Sequence, residues 1–332
     1  MGARAHYVIK DGDSWERYYS QWGGYSLELD MLAGPDPATR FAGGQRPDPA
    51  WMFDGECDGA VLIDHGESRL LWYSVYIDDA AYRAAALAVM GRTWPGWRID
   101  WAYQGLGDIV AAVGEEPTQV DGRYTLPPEP RPLQKASDYE PLPCLVTVAQ
   151  EGSVRAHMLE TSAESVIGNG AGSLATYYLG RSPVDTWPRF PGEGVHLDVD
   201  ARRGGVWTLG TFDRLPEAVE ILWPGWEWEH WQGRYREQLG RAAGAVAVPE
   251  PDRREGLRKL VEQFDRHQEV DAATEALSLL LDGLGRLTAA AGSEGMRATT
   301  VLDNSFAHRP MDLSDEERAG VHIAFAAILG DL

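Results

Sequence analysis

The sequence predicts an α+β protein: a tandem duplication of a mostly antiparallel sheet-plus-helices domain, followed by a small all-α C-terminal module. Three observations carry this. Trp94-Pro95-Gly96-Trp97 recurs as Trp223-Pro224-Gly225-Trp226, each time after a predicted helix (80–90 and 215–222) and before a short strand. A hairpin pattern, Val61-Leu62-Ile63-Asp64 and Leu70-Leu71-Trp72-Tyr73 about the polar turn His65 to Ser68, returns as Val195 to Asp200 and Val206 to Leu209 about a turn at Arg202 to Gly205. From Pro249 onward the pattern becomes helical. Other landmarks keep the same order: Ala38-Thr39 with Gly43 corresponds to Ala175-Thr176 with Gly180, and Trp51 to Trp187. The boundaries that follow are 1–116 for the first repeat, 117–140 for a linker, 141–246 for the second repeat and 247–332 for the helical module.

In the first repeat, Tyr7 to Lys10 and Trp15 to Ser20 flank Asp11-Gly12-Asp13, a tight-turn signal because Gly tolerates positive φ. Leu27, Leu29 and Met31 alternate with Glu28 and Asp30, the period-2 pattern of a half-buried strand. Asp36-Pro37 reads as a helix start, an N-cap carboxylate followed by a residue with no N–H to leave unpaired. Hairpin, helix, Trp-Pro-Gly-Trp turn, strand and helix complete the unit. The second repeat begins at Cys144 to Val148 and ends at Gly233 to Gly244. Between them, Pro117, Pro127, Pro128, Pro130, Pro132, Pro141 and Pro143 mark a semi-rigid, extended connection. In the tail, Leu257, Leu260, Val261 and Phe264 keep helical spacing, as do Ala273, Leu277, Leu280, Leu281 and Leu284. Ser314-Asp315-Glu316-Glu317 fits a capping box opening a last helix through Val321, Phe325 and Ile328.

The 332 residues are 44% hydrophobic and 24% charged, a globular balance, and carry a net charge of −21 with only three lysines, Lys10, Lys135 and Lys259. Nucleic-acid binding is disfavoured, because an acidic surface repels phosphate unless a basic face is segregated. The charge is uneven: nine basic and 18 acidic residues in 1–116 give −9, nine and 13 in 141–246 give −4, and nine and 16 in 247–332 give −7. All 13 tryptophans lie between Trp15 and Trp231. Two cysteines, Cys57 and Cys144, make no disulfide framework or metal spacing, and the first residues show no apolar targeting segment, so a cytoplasmic location is expected. No stretch is long and apolar enough for a membrane span. Preference for Arg over Lys, with abundant Ala and Gly, is the composition of a GC-rich bacterial genome.

Asp54, Glu56, Asp58, Asp64 and His65 form the densest set of metal-type ligands, oxygen donors with one imidazole. Asp64 and His65 would point to opposite sides of a regular strand, so solvated turn residues explain the set better. Gly168-Asn169-Gly170-Ala171-Gly172-Ser173 lacks the Lys-Ser or Lys-Thr of a phosphate loop and corresponds to Gly34-Pro35-Asp36-Pro37, a helix-opening turn. Tyr18, Tyr19 and Trp22, with Trp94, Trp97 and Trp101, could form an aromatic face, although repetition of the Trp-Pro-Gly-Trp turn favours core. No nucleophile elbow, His-Glu-x-x-His or Cys-x-x-Cys is present, and His308-Arg309 sits in a polar connection.

Duplication without a catalytic signature leans away from an enzyme and implies no cofactor. The expected function is a binding protein of inhibitor or immunity type, presenting an acidic, aromatic-edged surface to a basic protein partner, with Tyr18, Tyr19, Trp22, Asp64, Glu67 and Trp101 as the contact residues. The alternative is a metal-assisted hydrolase or transferase with a ligand cleft between the repeats, using Asp54, Glu56, Asp58, Asp64 and His65. Homo-oligomerisation through the C-terminal helices is a further expectation, since Leu277, Leu280, Leu281 and Leu284 exceed what a small module buries.

Overall fold

The computed structural model describes residues 3–121, 144–159, 162–174, 183–212, 215–268 and 311–332 as a mixed α/β chain with two sheets. In the first unit, β1 (Ala5–Asp11) and β2 (Ser14–Ser20) pair about Gly12, whose φ of 58° explains the glycine. Helices α1 (Leu27–Met31) and α2 (Pro35–Gly43) and the short β3 (Arg46–Pro47) lead to β4 (Gly59–Asp64) and β5 (Arg69–Ser74), then α3 (Ala80–Thr93), β6 (Arg98–Trp101) and α4 (Leu106–Ala112). The strand order is β3-β2-β1-β4-β5-β6. The second unit runs β7 (Cys144–Gln150), β8 (Ser153–Leu159), α5 (Ala163–Gly168), β9 (Glu193–Asp198), β10 (Arg203–Thr208), α6 (Leu215–Leu222), β11 (Glu227–His230) and α7 (Tyr235–Arg241), with strands ordered β8-β7-β9-β10-β11.

The expectation of mostly antiparallel sheets is corrected. β1 pairs β4, β5 pairs β6, β7 pairs β9 and β10 pairs β11 in parallel, so both sheets are mixed. The short connections are the hairpins; the parallel neighbours are joined through long helical crossovers such as α3. One contact recurs in the two sheets at the Trp-Pro-Gly-Trp turns. Trp94 donates Nε1–H to the Met31 carbonyl at 2.7 Å, and Trp223 donates to the Ile167 carbonyl at 2.8 Å. In each turn the second tryptophan lies edge-on to the first at 4.9 Å, with Gly96 and Gly225 at φ of 82° and 78°. The first tryptophan of each Trp-Pro-Gly-Trp turn is therefore core, Trp94 and Trp223 being buried and tied by the Nε1–H bond to a helix end, whereas Trp97 and Trp226 are half-buried against them.

Residues 27–31 form a helix, not a strand. Alternation suggested that Glu28 and Asp30 face water, yet both are buried. Tyr82 donates its hydroxyl to Glu28 Oε1 at 2.7 Å, Tyr7 donates to Asp30 Oδ2 at 2.9 Å, and His267 Nε2 meets Asp30 Oδ1 at 3.2 Å. Partners brought from distant segments satisfy the carboxylates, and no local period can register them. Helix α2 opens two residues before the expected start: Gly34, not Asp36, is the N-cap and Pro35 is the first helical residue, so Asp36 lies in the first turn. The loop at Gly168 to Ser173 ends α5 and enters a short 3-10 turn, Ala171–Ser173, through Gly170 at φ 70°, matching the positive φ of Gly34.

Two terminal helices follow, α8 (253–268) and α9 (Asp315–Asp331), the latter with the expected capping box at Ser314. Leu257, Leu260, Phe264, Val321, Phe325 and Ile328 belong to the first unit's core, so among the described residues the tail completes that unit instead of packing as a module of its own. Lys259 donates to Asp79 Oδ2 at 2.6 Å, and Gly256 abuts the backbone of Ala81. Among the described residues no helix is long and apolar enough to cross a membrane. Residues 122–140 of the expected linker, the landmarks Ala175-Thr176 and Gly180, the apolar run Leu277 to Leu284, and His308-Arg309 lie outside the described residues.

Candidate functional site

Helix α3 packs on the first core and reaches the second unit through one side chain. Asp79 caps it by accepting from the backbone N–H of Ala81 and Tyr82, and Tyr82, Ala86, Val89 and Met90 face the first core. Arg83 turns instead toward the second unit. Its Nη1 donates to the Leu209 carbonyl at 2.6 Å, its Nη2 donates to the Tyr103 hydroxyl at 2.9 Å, and its Cζ lies 3.9 Å from the centre of the Trp101 ring. Trp101, the last residue of β6, donates Nε1–H to the Gly210 carbonyl at 2.9 Å, and the Phe212 N–H is bonded to the Tyr103 carbonyl at 2.8 Å. The loop after β10 is thereby held to the edge of the first sheet at three points.

Between the units this leaves a cleft of about 810 Å³. Leu71, Leu87, Ile99 and Ala112 form its wall on the first unit; Phe212, His230 and Gln232 form the other. Such a volume suits an organic molecule of ordinary size. Polar groups sit around it. Asp100 accepts from Arg69 Nε at 2.7 Å and from Arg98 Nε at 2.8 Å. Asp108 accepts from the Gln104 N–H at 2.9 Å, and burial raises its pKa. Burial lowers that of His230, which favours the neutral imidazole. Arg83 is only 5% exposed and pairs with no carboxylate among the described residues; its Nε has no hydrogen-bond partner, and desolvation pushes its pKa down. A smaller cavity of about 270 Å³ adjoins the cleft, sharing Arg83, Leu87, Tyr103 and Gln232 with it.

No known family, curated protein or solved structure matches this chain. The site must be read from its own chemistry.

The five residues expected as metal ligands do not converge, and among the described residues no group of three or more His, Cys, Asp or Glu side chains is placed to hold a metal ion. Asp54 accepts from the Leu106 N–H at 2.6 Å, at the start of α4. Asp58 accepts from the Arg4 N–H at 2.7 Å, and Glu56 lies 3.8 Å from the Arg4 guanidinium. Asp64 is buried, ion-paired with Lys10 at 2.8 Å, and accepts from the Glu67 N–H. His65 Nε2 meets Thr39 Oγ1 at 2.9 Å and lies edge-on to Trp97.

The residues expected to meet a partner are also divided. Trp22 follows Ser20, which pairs with Ala5 at the start of β1, whereas Asp64 pairs with Lys10 near its end. Trp22 is therefore roughly 16 Å from Asp64 along the strands, and Tyr18, which pairs with Tyr7, roughly 10 Å. Tyr18 donates its hydroxyl to Glu16 at 2.7 Å, and Tyr19 lies under the Arg46 guanidinium at 4.5 Å. Trp22 stacks on Tyr25 at 6.4 Å, and Glu67 is exposed at the hairpin tip. Trp101 belongs to neither group: it is 7% exposed and faces the cleft. Cys57 is buried and donates to the Gly59 carbonyl, and desolvation pushes its thiol up to about 12, which makes it unreactive.

Sequence reading missed Arg83, Tyr103, Asp108, Phe212 and Gln232. One local signal existed: Arg83 is the single charge inside the apolar helix pattern of residues 80–90.

Proposed function

We propose that this is a binding protein, built from two copies of one duplicated mixed-sheet unit, that holds a small molecule in the cleft between the copies. The observation that carries the reading is a cleft of about 810 Å³ lined by both units, with an apolar wall on the first and Phe212, His230 and Gln232 on the second, whose edge holds a buried arginine with no acidic partner among the described residues. Uncompensated buried charge is costly in a purely structural role and is common where a ligand supplies the counter-charge. The matching strand orders and the shared Trp-to-helix-end hydrogen bond support the duplication.

A thermal-shift screen of a small-molecule library tests it, run on the native chain and on Ala112→Trp, which fills the cleft from the end of α4. Compounds that raise the melting temperature of the native chain should lose that effect in the variant. A library without hits, or hits that survive in Ala112→Trp, would sink the reading.

A second reading keeps a basic protein partner, now on one end of the first unit. Tyr25 is 56% exposed, stacked between Trp22 and Tyr76, beside the exposed Val75, on a chain of net charge −21. Salt-sensitive binding of a basic protein, lost in Tyr25→Ser with Tyr76→Ser, is the expected result; binding that ignores both changes rejects it.

A further inference from the structure

The smaller cavity beside the cleft is lined by four arginines, Arg83, Arg234, Arg236 and Arg253, and by one acid, Glu250. That is a local charge of +3 on a chain whose total is −21. Glu250 accepts from Arg236 Nη2 at 3.2 Å and from the Tyr235 hydroxyl at 2.8 Å, so it compensates one guanidinium. Arg234, which lines the cavity, spends its Nε–H on the Trp231 carbonyl at 3.1 Å, a bond that orients its side chain. Arg83 reaches the same space from the other unit, buried, with donors beyond those given to Leu209 and Tyr103. These arginines come from three separate places, α3 (Arg83), the N-terminal end of α7 (Arg234 just before it and Arg236 in its first turn), and the start of α8 (Arg253), and tertiary packing alone gathers them.

An acidic protein that concentrates guanidinium groups in one concave place has segregated a basic site. Planar forks of N–H donors match phosphate oxygens in pairs, and several of them together neutralise a dianion. The cavity opens onto the large cleft through the shared Arg83, Tyr103 and Gln232, where Leu71, Ile99 and Phe212 offer apolar walls. We infer that the protein binds a small phosphate monoester, with the phosphate group among Arg83, Arg234, Arg236 and Arg253 and the organic body in the cleft between the units. The placement of the body rests on the proposed cleft; the phosphate end rests on the arginine pocket by itself.

The test uses the full chain with inorganic phosphate, phenyl phosphate, phenylacetate and phenol as probes, by isothermal titration and thermal shift at low salt. Phenyl phosphate should bind tightest, inorganic phosphate more weakly, and phenylacetate about tenfold more weakly than phenyl phosphate. Phenol should not bind measurably. Arg234→Gln with Arg253→Gln, both at exposed positions and so compatible with folding, should weaken phenyl phosphate by about tenfold or more. Arg83→Gln should do the same, and the exposed pair decides the matter if that variant does not fold. Ala112→Trp should reduce phenyl phosphate to the affinity of inorganic phosphate while leaving inorganic phosphate unchanged. Equal binding of phenylacetate and phenyl phosphate overturns the phosphate assignment, as does binding that survives the double arginine variant or no phosphate binding at all. Inorganic phosphate binding that is lost in the arginine variants, with phenyl phosphate unaffected by Ala112→Trp, leaves the phosphate site standing and removes the cleft as the seat of the organic body.

Discussion

Replacing Glu28 with Gln should stabilise the folded chain, and the gain should grow as pH rises. Glu28 is wholly buried in α1, and desolvation raises its pKa from 4.5 to about 7. The groups around it are the Tyr82 hydroxyl, which donates to it at 2.7 Å, Gln263 beyond that hydroxyl, Asp30, and His267. A carboxyl whose pKa is higher in the folded state holds its proton longer there. Its contribution is favourable below the unfolded value of 4.5 and is lost as pH climbs through about 7. A shift of that size corresponds to about 3 kcal/mol, present as a penalty once both states are ionised. Gln keeps the acceptor for Tyr82 and never ionises. Between about pH 5.5 and about pH 8 the advantage of Glu28→Gln should therefore increase by about 2 kcal/mol. Working above the sequence pI of about 4.7 avoids the range of lowest solubility. Urea midpoints of both proteins across that range give the answer, and subtracting one curve from the other cancels groups common to both, such as Glu193, whose pKa burial raises to about 8. Parallel curves for the two proteins would refute the reasoning, because they would mean that Glu28 titrates alike in the folded and unfolded chains.

Two further predictions concern packing. At Gly256 of α8, an added Cβ would meet the carbonyl carbon and oxygen of Ala81 at 2.3 Å. Gly256→Ala should therefore destabilise by about 1 to 3 kcal/mol, although the same change at an exposed helix position stabilises by about 1 kcal/mol; a higher melting temperature in the variant would show that α8 does not dock there. Gln238, fully buried on α7, donates Nε2–H to the Leu145 and Val195 carbonyls at 2.8 Å and accepts from Trp207 Nε1 at 2.6 Å. Gln238→Ala strands these groups and should cost about 3 kcal/mol or more in chemical denaturation; a loss below about 1 kcal/mol would mean that water replaces the amide.

Much of the fold was legible residue by residue. The turn at Gly12, the Ser314 capping box and the Trp-Pro-Gly-Trp turns follow from which φ angles, cap bonds and side-chain volumes those residues permit, so nearby sequence is enough to place them. The short helix 27–31 was misread for the complementary reason: Glu28 and Asp30 look solvent-facing until Tyr7, Tyr82 and His267, up to 237 positions away, are seen to satisfy them. The carboxylates singled out in the sequence, Asp54, Asp58 and Asp64, are bonded instead to the backbone N–H groups of Leu106 and Arg4 and to Lys10, because density of ligand-type residues along the chain says nothing about convergence in space.

What the sequence determined by itself was the local inventory: two sheets' worth of hairpins and helices, a repeated tryptophan turn, and an acidic total. Only tertiary structure decided that the tail completes the first core, that the sheets are mixed, and that Arg83 meets Arg234, Arg236 and Arg253 in one cavity. Period and turn chemistry act over a few residues, whereas charge acts through distances in space. A chain of net −21 can therefore hide a pocket of +3, since the sum over the sequence is blind to which residues the fold makes neighbours.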